Sequence, residues 1–370
     1  MDALTTPSNW QKVRLGDIFF ITAGGDLSKP HYSNTKQSDF NYPIYSNAIE
    51  KKGLYGYSSF FIIKNKSITI TSRGTIGVAF FRDYPYVPIG RLLVLQPKIS
   101  NIDCRFYAEY INSKVKFNTE QTTIPQLTIP KVALCEIPLP PLNEQIAIAN
   151  VLSDVDRYLY SLDALILKKE SVKKALSFEL LSQRKRLKGF NQAWQRVRLG
   201  DILSYEQPTK FLVATTQYLQ KGFTPILTAG KTFILGYTND KHGIYTNIPV
   251  IIFDDFTTDS KMVNFPFKVK SSAIKILSLR DNNQADLKYI YEKLTLLKHQ
   301  VTDHKRYWID EFSNFEILLP PLNEQIAIAN ILSDLDNEII GLKNKKRQFE
   351  NIKKALNHDL MSAKIRVLNK

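Results

Sequence analysis

The sequence has little of what metal-bound, secreted or catalytic proteins usually display. Cys104 and Cys135 are its only cysteines, too few for a disulfide framework and without metal-ligand spacing, so a reducing compartment is expected. Their expected role is packing. The five histidines are scattered, with no nucleophile and base at a useful spacing. Apolar runs such as Ile248–Phe253 are far too short to cross a bilayer. The opening MDALTTPSNW lacks a charged stretch followed by an apolar core, so no secretory signal is read from it. A soluble, cytoplasmic protein is expected. Acidic residues are also scarce: 35 Asp and Glu against 50 Lys and Arg leave a net charge of +15. Such a surface attracts polyanions and gains affinity by releasing their counterions, which makes nucleic acid the obvious partner. Charge alone leaves ordinary solvated lysines as an equal alternative.

Two apparent sites fail on inspection. AGKT at Ala229–Thr232 resembles a phosphate-binding loop, but the glycine needed five positions before the Gly-Lys pair is Pro225. Asp254, Asp255 and Asp259 lack a His or Glu at useful spacing, so a turn ending a strand is the expected reading and no metal site is assigned. No catalytic residue is identified.

What the sequence does contain is duplication, which usually marks repeated structural units. PPLNEQIAIANVLSDVD at 140–156 returns at 320–336 with two of seventeen positions changed, Val151/Ile331 and Val155/Leu335. WQKVRLGDI at 10–18 returns at 194–202 with only Lys12/Arg196 changed. Each pair brackets a segment of about 130 residues, a normal domain size. There the copies are only faintly alike: YPIYSNA (42–48) echoes TPILTAG (224–230), and GLYGY (53–57) echoes ILGY (234–237).

Short β-branched and aromatic runs at 59–63, 67–71 and 249–253, set between Gly, Pro and Asn turns, predict strands. Helices are predicted near 106–113 and 287–297. After each Pro-Pro pair the pattern changes to a long helix, with Pro141 suited to the first turn and Glu144 near the positive end of the dipole. The first is expected to reach about Leu187. Its apolar stripe is Val155, Leu159, Leu162 and Ile166, a polar Lys169, then Val172, Leu176 and Leu180. The second copy gives Leu335, Ile339, Leu342, Lys346, Phe349, Ile352, Leu356 and Leu360. Spacings of three and four predict a narrow coiled-coil seam, with each helix the natural partner of the other. The alternative is two long helices, each packing on its own domain. The expected fold is α+β: two mixed α/β domains at 1–139 and 189–319, followed by helices at 140–188 and 320–370 packed as an antiparallel coiled coil with pseudo-two-fold symmetry.

Paired domains that open on W..VRLGDI and close on PLPPLNEQIAIA and a long helix resemble the specificity subunit of a Type I restriction-modification system. TSRGTIG (71–77), TIPQLTI (123–129), FDDFTTDSK (253–261) and HKRYW (304–308) are further echoes. The resemblance covers nearly the whole chain. It implies that each target-recognition domain reads half of a split double-stranded DNA site, while the helices space the domains and dock two methyltransferase subunits. Restriction subunits would complete a nuclease. S-adenosylmethionine and ATP are then expected on those partners, with no cofactor here, and the [DN]-P-P-[YF] tetrapeptide of an adenine methyltransferase is missing from this chain. On that reading Asn143, Glu144, Gln145 and Ile148, with Asn323, Glu324, Gln325 and Ile328, form the repeated docking surface.

Loop residues able to read base edges or hold phosphates are the DNA-contact candidates. They are Lys51, Lys52, Ser72, Arg73 and Thr75 in the first domain. In the second they are Lys231, Lys241, His242, Thr257, Lys261, Lys305 and Arg306. Arg73 stands out, because Gly74 and Gly77 beside it would let backbone approach a phosphate. The run Arg184, Lys185, Arg186, Lys188, Arg196 and Arg198 either clamps DNA backbone or solvates the linker. Other functions compatible with the composition are a coiled-coil scaffold and a free-standing DNA-binding regulator, the latter opposed by the lack of a helix-turn-helix or zinc motif.

Overall fold

The computed structural model describes residues 10–117, 125–214, 217–228, 232–297 and 306–367. It divides into two compact units, Met1–Asp163 with Asn344–Lys370, and Ala164–Lys343. Each unit therefore combines one bracketed domain with the first part of its own long helix and the last part of the other copy's helix. This division cuts across the four segments expected from the sequence.

In the first unit, Gln11–Arg14 pairs antiparallel with Glu136–Leu139, bringing the domain's opening and closing motifs side by side. Its main sheet has the spatial order Phe19–Ala23, Leu93–Pro97, Ser67–Ile70, Ala79–Arg82, all antiparallel. All four Ser67–Ile70 residues are buried, as expected of an inner strand covered on both faces. A smaller sheet joins Tyr32–Ser33, Leu54–Ser58 and Tyr42–Tyr45, with Val87–Pro88 added in parallel. The helix Cys104–Lys114 is capped by Asp103, whose carboxylate accepts the Arg105 and Phe106 amides at 2.8 and 3.2 Å.

The second unit repeats this plan. Gln195–Arg198 pairs with Glu316–Leu319, and the main sheet runs Leu203–Glu206, Ile274–Leu279, Val250–Asp254, Ser260–Val263. Its small sheet runs Ile234–Thr238, Thr224–Leu227, Lys268–Val269, and Asp286 caps the helix Leu287–Leu296. The correspondence reaches single residues. Both small sheets carry a register irregularity, between Ile44 and Tyr45 and between Ile226 and Leu227. Both also place a glycine opposite the isoleucine, Gly56 and Gly236. A Cβ on Gly56 would lie 2.5 Å from the Tyr32 ring, and one on Gly236 2.7 Å from Tyr218 Cβ, so each must stay bare. The faint sequence echoes thus mark equivalent strands. The predicted strand at 59–63 does not form: only Ile63 bridges, to Tyr86, and Phe60, Phe61 and Ile62 lie exposed in a loop. Tyr86 accepts the Ile62 and Ile63 amides and donates back to Ile63, and no ladder continues beyond that single bridge.

The long helices span Leu142–Leu181 and Leu322–Met361, 40 residues or about 60 Å each. The first stops short of Leu187, and Gln183 takes a left-handed φ of 64° just beyond it. In the first unit Asp163 pairs with Lys346 at 2.6 Å and Asp156 with Lys353 at 2.8 Å, so the helix segments run antiparallel. Tyr158 meets Phe349 with ring centres 4.5 Å apart. In the second unit Lys169–Glu338 and Lys173–Asp336, at 2.8 and 2.6 Å, give the same direction. Leu162, Ile166 and Ile339 are buried, while Val155, Leu159, Leu335, Leu342 and Phe349 are half-buried. Val172 and Ile352 leave the expected stripe and face solvent, Ile352 being 50% exposed. Their neighbours Lys173 and Lys353 turn inward instead. The alternative of each helix packing only on its own domain is thereby replaced by one in which the helices pack on each other, within both units.

The returning helix ends also complete the domain cores. Leu360 and Met361 join Phe106, Ile111 and Leu152 in the first, while Leu180 and Leu181 join Ile290, Trp308 and Leu332 in the second.

Candidate nucleic-acid interface and docking face

The two repeated motifs turn out to be hydrogen-bond partners. Trp10 Nε1 donates to Glu144 Oε2 at 3.1 Å, and Trp194 Nε1 to Glu324 Oε2 at 3.0 Å. An arginine from the returning end of the other helix completes each set. Arg366 donates to both Glu144 oxygens at 3.0 and 2.9 Å, and Arg186 to those of Glu324 at 3.1 and 2.6 Å. The adjacent glutamines are equally committed: Gln145 donates to the Pro140 and Asn101 carbonyls and accepts the Asp103 amide, and Gln325 does the same with Pro320, Gln284 and Asp286. The docking surface expected from the sequence is corrected accordingly. Glu144, Gln145 and Ile148, with Glu324, Gln325 and Ile328, are buried and clamp each domain to its helix. Only Asn143 and Asn323 of that set are exposed. The outward side of the helix starts is Asn143, Ile146, Asn150 and Asp154, repeated as Asn323, Ile326, Asn330 and Asp334. Ile146 and Ile326 are 37% and 40% exposed. A helical wheel around the buried Glu-Gln pair would have located this face. Arg186 is likewise a structural residue and leaves the proposed basic clamp.

Below the clamps lies a second repeated set. Lys173 bonds Asp336 at 2.6 Å and Glu292 at 3.2 Å, while Lys353 meets Asp156 at 2.8 Å and Glu109 at 3.8 Å. The second unit adds Lys288, bonded to both Glu292 and Asp336. Burial opposes ionisation of Asp336, but the bonds from Lys173 and Lys288 hold its carboxyl below the usual range. In the first unit Arg105 stands at the Lys288 position but bonds Asp103 and Asn150 instead, and burial pushes the Glu109 carboxyl up. Burial also drives Lys293 down to about 8, where its ammonium caps the Leu181 carbonyl. The Cys104 thiol is pushed up to about 12 by burial, in keeping with a packing role.

The DNA-contact candidates divide by exposure. The 71–78 loop of the first unit is organised by Thr71, whose hydroxyl donates to the Thr75 carbonyl at 2.5 Å and accepts the Val78 amide at 2.9 Å. Arg73, Gly74 and Thr75 project from it. Gly74 has φ +67° with open space around it, and Arg73 Nη2 donates to Gln126 at 3.2 Å. Ser72 is corrected: it is fully buried, its hydroxyl donating to the Arg91 carbonyl at 2.6 Å and its amide to Asn47 at 2.7 Å. It holds the loop against the 46–53 turn, which carries exposed Lys51 and Lys52 with left-handed φ of 48° and 55°. Arg91, also exposed with φ 67°, joins this group. Sequence reading missed it, although the Gly90-Arg91 turn was visible. Lys52 and Arg82 are linked more deeply: buried Arg82 stacks 3.6 Å over the Tyr45 ring and donates to the Lys52 carbonyl.

In the second unit the 255–259 loop takes the corresponding place between an inner and an edge strand. The Asp254 carboxylate accepts the Phe256 amide and the Thr257 hydroxyl, at 2.9 and 2.6 Å. Asp255 pairs with buried Lys275 at 2.8 Å and accepts the Trp308 amide at 3.0 Å. These acids build a turn, and both Thr257 within it and Arg306, two residues before Trp308, are exposed. Lys261 is half-buried, its ammonium 4.5 Å from the Phe233 ring centre. Lys241 and His242 are exposed on a turn that Lys268 anchors through Asp240 at 2.5 Å and the His242 carbonyl at 2.8 Å. Lys231 and Lys305, with most of AGKT, lie outside the described residues. Among those described, no group of three His, Cys, Asp or Glu could hold a metal. No helix among them is long and apolar enough to cross a membrane.

Comparison with known proteins agrees with this architecture. A solved S subunit of a Type I restriction-modification system from M. genitalium superposes with a TM-score of 0.70 at 18% identity, over 96% of this chain and 97% of that one. The EcoR124I/EcoR124II specificity subunit of Escherichia coli is 46% identical over 166 residues, 44% of this chain and 39% of that protein, so the match spans under half of the relative's length. The MjaVIII specificity subunit of Methanocaldococcus jannaschii aligns over 100% of this chain and 96% of its own length at 24% identity. The Type I restriction modification DNA specificity domain is matched twice, by residues 7–169 and 191–350. The chain belongs to the Type I restriction-modification DNA specificity family.

Proposed function

We propose that this chain reads a bipartite, asymmetric double-stranded DNA target, one half per domain, and directs adenine methyltransferase subunits to it. The observation that carries the proposal is where the copies agree. Identity in the clamp residues Trp10/Trp194 and Glu144/Glu324 is explained by folding, but the exposed Asn143, Ile146, Asn150 and Asp154 also recur unchanged as Asn323, Ile326, Asn330 and Asp334. Asn150 has an internal partner in Arg105 at 2.9 Å, but among the described residues no cross-element bond holds Asn143, Ile146 or Asp154, and meeting one kind of partner twice accounts for their recurrence. The loops on the two matching scaffolds differ instead, as Thr71–Val78 and Asp255–Asp259 do, which suits two unlike half-sites. Family membership and the +15 charge favour DNA as what they meet. Two methyltransferase subunits would dock on the corrected outward faces, and restriction subunits would add cleavage. S-adenosylmethionine and ATP chemistry is assigned to those partners. The long helices would act as a spacer, about 60 Å corresponding to nearly two turns of duplex at about 34 Å each.

The test is to co-express the chain with a Type I methyltransferase subunit from the same genome and map modified adenines. A split motif of two unlike halves is expected. No new methylation beside an active partner would refute the proposal, and tight selection of one operator by the isolated chain would instead indicate a regulator.

A further inference from the structure

Phe223 of the second unit is 90% exposed, the most exposed large apolar side chain in the described residues. Its position is fixed although its ring is bare. Thr224 pairs with Thr238 at the end of the small sheet, the Phe223 amide donates to Asn239 Oδ1 at 3.3 Å, and Gly222 fits so tightly that a Cβ would lie 2.8 Å from Tyr237 Cβ. The ring thus stands on a rigid tip with exposed Lys221 beside it and Lys241 just beyond Asn239. Loose loops bury such rings; this one is held out.

The same end of the small sheet in the first unit is built from different residues. Tyr42 pairs with Ser58 there, and the chain continues into Phe60, Phe61 and Ile62, 37%, 39% and 56% exposed. The Phe61 ring lies 5.1 Å from that of Tyr42, and the Phe60 ring 5.2 Å from His31, so this apolar tip is also braced. Asn41 stands where the second unit has Phe223.

We propose that these two sheet tips are further specificity-determining elements, with the Phe223 ring wedging against base steps in one half-site and the Phe61 ring in the other. The inference rests on the DNA-reading function proposed above. Apolar side chains that enter a duplex must be exposed, stiffly mounted and flanked by cations that hold phosphate, and Phe223 with Lys221 and Lys241 meets all three conditions. Their difference between the units is what two unlike half-sites require.

The experiment uses the full chain with its methyltransferase subunit and a duplex carrying the methylation motif found for the wild type. Replacing Phe223 by Ala should weaken binding about tenfold or more, Phe223→Trp should retain it, and the loss should be confined to substrates intact in the second half-site. 2-Aminopurine placed through that half-site should brighten when the wild-type complex binds and stay dim with Phe223→Ala. Phe61→Ala should produce the same losses for the first half-site alone. An unchanged melting temperature for Phe223→Ala is expected from its exposure and separates contact from misfolding. Wild-type methylation of a split motif, combined with unaltered affinity and fluorescence in both alanine variants, would overturn the wedge while leaving the DNA-reading function standing. Absence of any motif for the wild type would remove the function itself.

Discussion

Glu144 and Glu324 illustrate how a residue can be plainly marked in a sequence and still be misassigned. Their repetition is obvious, but a repeated carboxylate at a helix start suits docking and folding equally well until its burial is known. Each accepts a tryptophan indole and a two-pronged arginine. Glu324→Ala would leave the Trp194 N–H without its acceptor and Arg186 with only the Gln192 carbonyl, and should cost about 2–3 kcal/mol, read as a lower urea midpoint, with Glu324→Gln losing less. Lys293 gives a pH signature. Burial holds its pKa near 8, below the unfolded lysine value of about 10.4, so the unfolded chain binds the extra proton between those values. Stability from this group is lowest below pH 8 and rises as pH increases from about 8 to about 10. Lys293→Met should flatten that rise in pH-dependent thermal melts. At the proposed interface Arg73→Ala should weaken DNA binding about tenfold, with Thr75→Val closer to neutral, measured by titration at fixed salt.

At the level of strands and helices, the sequence is most informative where one element must satisfy one periodicity. The long helices, the domain helices at 104–114 and 287–296, and the inner strands at 67–70 and 250–254 are all visible in spacing and composition. The apolar run 59–63 is not, because a strand needs a continuing ladder and no local signal reports that pairing stops at a single bridge. The two small sheets show the converse, since faint echoes such as YPIY and TPIL mark identical pairing down to the bulge. What survives divergence there is the bare glycine: Gly56→Ala or Gly236→Ala should each cost about 1–3 kcal/mol by forcing Tyr32 or Tyr218 away, detectable as a lower melting temperature. Val172 and Ile352 were misplaced for a related reason. Heptad counting assigns them to the seam, but the carboxylates of Asp336 and Asp156 draw the neighbouring lysines inward.

At the scale of the whole molecule, the chain is duplicated but the compact units are not its halves. Residues 344–367 bring Leu356, Leu360, Met361 and Arg366 to the first unit, so deleting them should do more than shorten a helix. Hydrogen exchange should show protection lost through the 10–163 region and largely kept across 164–343. Equal protection in both would contradict this division. Exchanges of the second recognition segment should succeed when Trp194 and Asp286 are kept, since these meet Glu324 and Gln325.

The arginine that closes the first clamp stands 222 residues after its glutamate. During synthesis at about 5–20 residues per second, the first domain must wait on the order of ten seconds or more with its core open. The domain made first is therefore finished last. A chain cut short anywhere in the second copy carries a first domain that has not closed, which ties completion of one core to synthesis of the other.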